Sequence, residues 1–327
     1  KTIRPAGQLS PTLVSQSIGG GGGWIGIAQG DLSLGAVNAD GDLSAGSIQI
    51  QNDAELRSEG DGSVGLMSQT IGGGGGYSAY AKGELKLGSL TSKGDLSAGK
   101  IDFKNTGSVF TLNDNSPVII STNIGGGGGF IGGTNHAKTK GEGDIRLGSL
   151  NSEGNQSSKS NKITNTGYLQ SQGNYSPAVL QQSVGGGGGS VVHGKGHAEL
   201  GSGSGAGDQS AGDLTWLNKG RIITSGDHSP AVFNQSIGGG GGRVNRIDGT
   251  AHLGSRNTLR KSFRKSGGLS IRNAGKLITT KGNLSPAIVS QTIGGGGGWL
   301  GIGADDLHLG AKHALADQSS GDLVLTN

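Results

Sequence analysis

Ser176-Pro-Ala-Val-Leu-Gln-Gln-Ser-Val-Gly-Gly-Gly-Gly-Gly189 is a short apolar strand running straight into five glycines. Variants of it recur along the chain, with pentads beginning at Gly19, Gly72, Gly125, Gly185, Gly238 and Gly294. The steps between them are 53, 53, 60, 53 and 56 residues. A fixed period of this size marks a solenoid, in which each unit buries its apolar face only against its neighbours. The repeat makes the chain an extended surface rather than a globule around one pocket.

Landmarks hold their register on both sides of the pentads. Twelve residues before each lies a turn residue: Gly7, Gly60, Asn113, Gly173, Gly226 and Gly282. Three residues further comes serine, followed by proline in five of the six copies, Ser63-Val64 being the exception. Proline is tolerated at the first residue of a strand because its missing N–H falls before the ladder begins. Leu-Gly recurs after the pentads, from Leu34-Gly35 to Leu309-Gly310, and asparagine recurs at Asn52, Asn105, Asn165, Asn218 and Asn273. Segments such as Gly83-Glu-Leu-Lys-Leu87 alternate apolar with polar residues, the period of a half-buried strand. Each block gives about six short strands, predicting an all-β parallel β-helix. With three strands in each coil, a block would make two wide coils, or three narrower ones. About twelve coils at roughly 4.8 Å each would form a rod about 60 Å long.

Composition narrows the class. Glycine supplies 71 of 327 residues, and each costs roughly 0.5–1 kcal/mol relative to alanine in an ordered element. Pentads therefore imply a backbone that needs room or close approach. Collagen is excluded by six prolines and no Gly-X-Y period. Cysteine is absent, so no disulfide holds the fold, which suits export through a narrow pore. We read residues 1–327 as one β-helical segment internal to a longer protein. The net charge of +4 conceals an asymmetry: residues 219–281 hold twelve Lys/Arg against Asp227 and Asp248, leaving the rest of the chain at −6. Only that window forms an electrostatic footprint.

The stacked pentads have two readings. One is architectural, a corner where backbones approach too closely for Cβ atoms; the other is a bare stripe against which another chain or a flat polymer packs. The residue after the pentad is aromatic in four blocks, Trp24, Tyr77, Phe130 and Trp299, with Ser190 and Arg243 breaking the series. These rings form either an internal ladder or an exposed carbohydrate-contacting row beside the glycines.

Catalytic patterns are not found. No pentad is followed by Lys-Ser or Lys-Thr at P-loop spacing, and there is no Gly-x-Ser-x-Gly. His193 and His197 share a strand face without the glutamate of a metalloprotease helix, so no metal site is assigned. Aspartates in Gly41-Asp-Leu-Ser-Ala-Gly46 and its relatives read as turn acceptors. The expectation is a non-enzymatic chain without cofactor or metal. The fifth block departs from the repeat at Arg256-Asn-Thr-Leu-Arg-Lys-Ser-Phe-Arg-Lys265. Arg256, Arg260, Lys261, Arg264 and Lys265 around Phe263 read as a candidate site for anionic glycans, lipopolysaccharide phosphates or extracellular DNA. A second irregular surface falls at the insertion over 131–144.

The unit Asn-x-Gly-x-Leu/Ile-x-Ser/Thr-x-Gly-Asn-x-Ser-Pro-Ala-Val-x-x-Gln-Ser-Ile followed by the pentad resembles passenger repeats of bacterial autotransporters, the type V secretion system. The resemblance spans essentially the whole chain; Ser121-Thr-Asn-Ile124 departs from it. It implies a right-handed parallel β-helix exported across a Gram-negative outer membrane by a translocator barrel of the same precursor. Adhesion, aggregation and biofilm formation are the implied roles. Haemagglutinin-like proteins of two-partner secretion share the β-helix and are a close alternative. Self-association into filaments through the glycine face and a polysaccharide-cleaving β-helix are the others.

Overall fold

The computed structural model describes residues 1–132, 141–142, 144–258, 263–275, 277–312 and 317–327. Every strand pairing is parallel, and no helix occurs among the described residues. Leu66–Ile71 pairs with Leu13–Ile18 on one side and Ile119–Ile124 on the other, with Leu66 opposite Leu13 and Ile119. The register step is therefore one whole block. Each block is a single wide coil of six strands, and the chain is a parallel β-helix of six such coils.

This corrects the expected coil count. Six coils at roughly 4.8 Å give a stack about 29 Å tall, half the expected length. In the second coil the chain visits six sheets in turn: Glu55–Ser58, Leu66–Ile71, Gly75–Ala81, Leu85–Leu87, Thr91–Ser92 and Ile101–Asn105. We number the sheets first to sixth in that order.

The second sheet explains why the coil is so wide. Along Leu66–Ile71, Leu66 faces Leu56 and Phe103 of the first and sixth sheets, while Met67 faces Tyr77 of the third. Both faces of this sheet are thus covered, and all six residues are buried. The central wall divides the interior into separate apolar compartments. One is enclosed by the first, second and sixth sheets, one lies between the second and third, and one lies between the third and fourth.

Three columns of polar residues in and beside the wall are satisfied between coils. Gln182 Nε2 donates to Gln235 Oε1 at 2.8 Å, and Gln235 Nε2 to Gln291 Oε1 at 2.7 Å. Asn52, Asn105, Asn165, Asn218, Asn273 and Asn327 form a second ladder, each Nδ2 donating to the next Oδ1 at 2.8–2.9 Å. The serine before proline forms a third: the Ser116 N–H donates to Ser176 Oγ at 2.9 Å, and Ser176 N–H to Ser229 Oγ at 2.9 Å. Buried polar groups need such partners, and in a stack an identical neighbour supplies one at the right height.

The pentad is the fold's tightest point. Gly73 and Gly74 take φ of +87° and +84°, where an L side chain is strained. A Cβ on Gly72 would overlap the Leu96 carbonyl of the returning chain, and one on Gly75 the Gly128 carbonyl of the next coil. The Gly127 N–H donates to Gly72 O at 2.6 Å. In the second to fifth coils every pentad glycine is buried. The architectural reading therefore holds and the bare stripe does not, because these glycines lie inside.

Two glycine substitutions should separate conformation from close approach. Gly21 has φ of +84° but open space at its Cβ, so Gly21→Ala should cost only about 1–2 kcal/mol. Gly128→Ala, whose Cβ overlaps the Gly188 carbonyl, should cost more than about 4 kcal/mol, the exceptional range for a point change. Urea unfolding followed by far-ultraviolet circular dichroism reads both, and equal losses would refute this account of the pentad.

Candidate functional site

The aromatic row that follows the pentads is internal through its middle. Tyr77 and Phe130 are buried, and their rings stack at 5.6 Å. Burial pushes the Tyr77 hydroxyl well above its usual range, and that hydroxyl donates to Gly62 O at 3.2 Å. Trp24 stacks on Tyr77 at 6.2 Å and is exposed only in the first coil, while Trp299 is half-buried in the last. Tyr77 and Phe130 are core rings, with Trp24 and Trp299 in the same column in the first and last coils, so the row is the internal ladder and not an exposed carbohydrate-contacting strip.

The basic block separates in the same way. Arg260 and Lys261 lie outside the described residues. Phe263 is 48% exposed, with the Lys265 ammonium 5.2 Å from its ring centroid. Arg256 pairs with Glu199, a carboxylate that also accepts from Arg146 at 2.9 Å. Arg256 is thus one jaw of a structural clamp and not a free cation. Arg264 is fully buried, and its guanidinium has no hydrogen-bond partner among the described residues. It occupies the inward column of Leu43, Leu96, Gln156, Gln209 and Gln318. Burial lowers its pKa to about 10. Arg264 is therefore corrected from a surface ligand contact to a core residue. The insertion at 131–144 is described only at its edges, where Gly141–Glu142 pairs with Gly194–Lys195.

The outer face of the first sheet gathers groups that sequence alone had not placed together. Tyr168 stands beside Ser108 and Arg221 in register, and Phe110 beside Arg57 and Gln170. The Phe110 and Tyr168 rings meet edge to face at 5.3 Å, and the Arg221 guanidinium lies 5.6 Å from the Tyr168 centroid. Arg221 and the nearby Lys219 are exposed. The missed signal was the positions three and five residues after the repeated asparagine, which point outward once the register is known.

A second unassigned feature lies between the fifth and sixth coils. Arg243 stands in the column of Tyr77 and Phe130, so a cation occupies a place built for a ring. It is 2% exposed, and burial lowers its pKa to about 9. Its guanidinium lies 5.0 Å from the Phe233 centroid, beside a cavity of about 250 Å³. The Trp299 ring meets Phe233 edge to face at 5.6 Å.

His193 packs against the Tyr175 ring at 4.5 Å, and His197 Nδ1 lies 2.5 Å from Thr250 Oγ1. No cluster of three or more metal-ligating side chains occurs among the described residues. Several of the aspartates accept from the backbone of the next coil, as where the Asn155 N–H donates to Asp95 Oδ1 at 2.8 Å. Comparison with protein-family models, with curated proteins and with solved structures returns no match.

His252 supplies a pH handle near the Arg256 clamp. It is buried, stacks on His308 at 4.7 Å, and has no hydrogen-bond partner on either ring nitrogen among the described residues. Burial first, then the charges of His308, Lys312 and Arg256, lower its pKa from 6.5 to about 4, against the pull of Glu199. The unfolded chain takes up this proton near pH 6.5 and the folded chain only near pH 4, so stability falls as pH drops through that window. His252→Gln should flatten the decline in melting temperature between those two pH values. An unchanged slope would show that His252 does not set it.

Proposed function

We propose that the chain is a non-enzymatic segment of an adhesive rod on a Gram-negative cell surface, of the kind the autotransporter passenger resemblance implies. Anionic glycans are its partners. The observation that carries this reading is the division of labour across each coil. Glycine pentads and the asparagine, glutamine and serine ladders face inward and lock the stack. The outer faces of the same rigid sheets present side chains that change from coil to coil, such as Ser108, Tyr168 and Arg221. Phe110, Tyr168, Arg221 and Lys219 suit a charged sugar chain: a tyrosine face stacks on the apolar face of a pyranose, while arginine pairs a carboxylate or sulfate. Lys265 and Phe263 extend the same chemistry in the fifth coil.

Export by a translocator barrel in the same precursor, and release or display at the surface, belong to the same proposal. The two-partner haemagglutinin-like alternative differs in export route, not in the chemistry of this face.

Immobilised heparin tests the reading. Binding should weaken steadily as sodium chloride rises. The double change Lys219→Ser and Arg221→Ser should lower affinity roughly five- to thirtyfold, at about 0.5–1 kcal/mol for each exposed ion pair. Salt-insensitive retention, or retention untouched by the double change, would remove the glycan-binding face. Incubation with acidic polysaccharides should release no new reducing ends, and their appearance would replace the adhesive reading with an enzymatic one.

A further inference from the structure

Two residues that line the cavity between the fifth and sixth coils carry buried donors without partners. Arg243 Nε and Asn245 Nδ2 both lack a hydrogen-bond acceptor among the described residues, and both residues line the cavity. Arg243 and Asn245 are 2% and 3% exposed, so water does not freely serve them. Leaving a buried guanidinium without an anion is costly, and its contact with the Phe233 ring replaces only part of its hydration. No acidic residue lines this cavity. Asp227 acts on the neighbouring His228 and Asp248 pairs with Arg246, and neither lines the cavity.

The remaining wall is apolar and aromatic. Phe233 and Trp299 present rings, Pro230 and Pro286 present stiff apolar edges, and Leu284, 69% exposed, rims a mouth that reaches the surface. At about 250 Å³ the space exceeds the roughly 150 Å³ of an apolar cavity that admits benzene. A wall that sets unpaired donors beside aromatic rings suits a ligand that joins a negative charge to an apolar body.

We propose that this cavity binds a small carboxylate with a flat apolar body, of the aromatic-acid class. The carboxylate accepts from the Arg243 guanidinium and from Asn245 Nδ2. The ring lies among Phe233, Trp299 and the two prolines. The site is independent of the outer glycan-binding face, since it uses none of that face's residues.

Fluorine NMR of 4-fluorobenzoate titrated with the intact chain tests the assignment. Saturable binding is expected, together with a rise in melting temperature on adding benzoate. Benzyl alcohol, which keeps the ring and loses the charge, should bind at least tenfold more weakly, and inorganic phosphate should not displace the fluorobenzoate. Arg243→Met should lose at least tenfold in benzoate affinity while melting at a higher temperature than the parent without ligand. Arg243→Gln provides the same affinity test without adding apolar bulk, and circular dichroism confirms that each variant folds. The proposal is overturned if no saturable binding is seen with the parent chain, or if benzyl alcohol or phosphate competes as well as benzoate. It is equally overturned if a folded Arg243 variant binds benzoate as the parent does.

Discussion

Backbone touching backbone at the glycine pentads is the constraint from which the rest of the structure follows. Gly127 donates to Gly72, Gly187 to Gly125 and Gly240 to Gly185, each at 2.6 Å. The first glycine of each pentad also lies against the chain returning from the fifth sheet, at Leu96, Gln156, Gln209 and Arg264 in successive coils. One element thus fixes the height of the next coil and the closeness of two distant parts of the same coil. Cβ atoms on Gly72 and Gly75 would force both apart. The conformational cost of glycine is offset by strands that can fold back on the central wall without a wide turn.

That closeness produces an interior unlike a simple apolar core. Because the second sheet is covered on both faces, its polar residues cannot reach solvent and must find partners along the stack. Gln182 does so through Gln235 one coil away, and Asn165 of the sixth sheet and Ser176 just before the second sheet use the same device. Each ladder bond is modest, at roughly 0.5–1.5 kcal/mol net, but leaving a member unpaired costs the desolvation of a whole polar group. A register slip of one residue would orphan three ladders at once. The ladders therefore specify register, while the apolar columns supply the driving force.

The same arrangement decides what could be read from sequence. The strand period and the fixed landmarks made the solenoid and its strands legible, while the pentads read either as a structural corner or as a bare stripe. The number of coils was not legible, because alternation reports which residue faces a core but not which strand lies alongside. Leu66 and Met67 face opposite compartments, a pattern that reads as one buried face and one solvent face when only a single core is assumed. Arg264 failed for a related reason: its charge suggested a surface, and only the column from Leu43 through Gln209 shows that its position points inward. The Tyr168–Arg221 pairing was invisible because the two residues are 53 apart in the chain and meet only through the coil step.

Two buried arginines fall in the same coil, and the stack explains why the fold accepts them. A coil draws its sheet hydrogen bonds from the backbones above and below, which are indifferent to the side chain at any one column. The desolvation cost of a cation is then carried by bonds spread over two neighbours, whereas in a globular core it would disrupt packing in every direction. Arg264 illustrates the limit of that tolerance, its stem lying along the backbone of Gly239. Arg243 differs in one respect: beside it the column of rings is interrupted, and volume is left over. A misfit without space is only a cost. With space and unpaired donors, it becomes a place where a second molecule lowers the free energy of the stack.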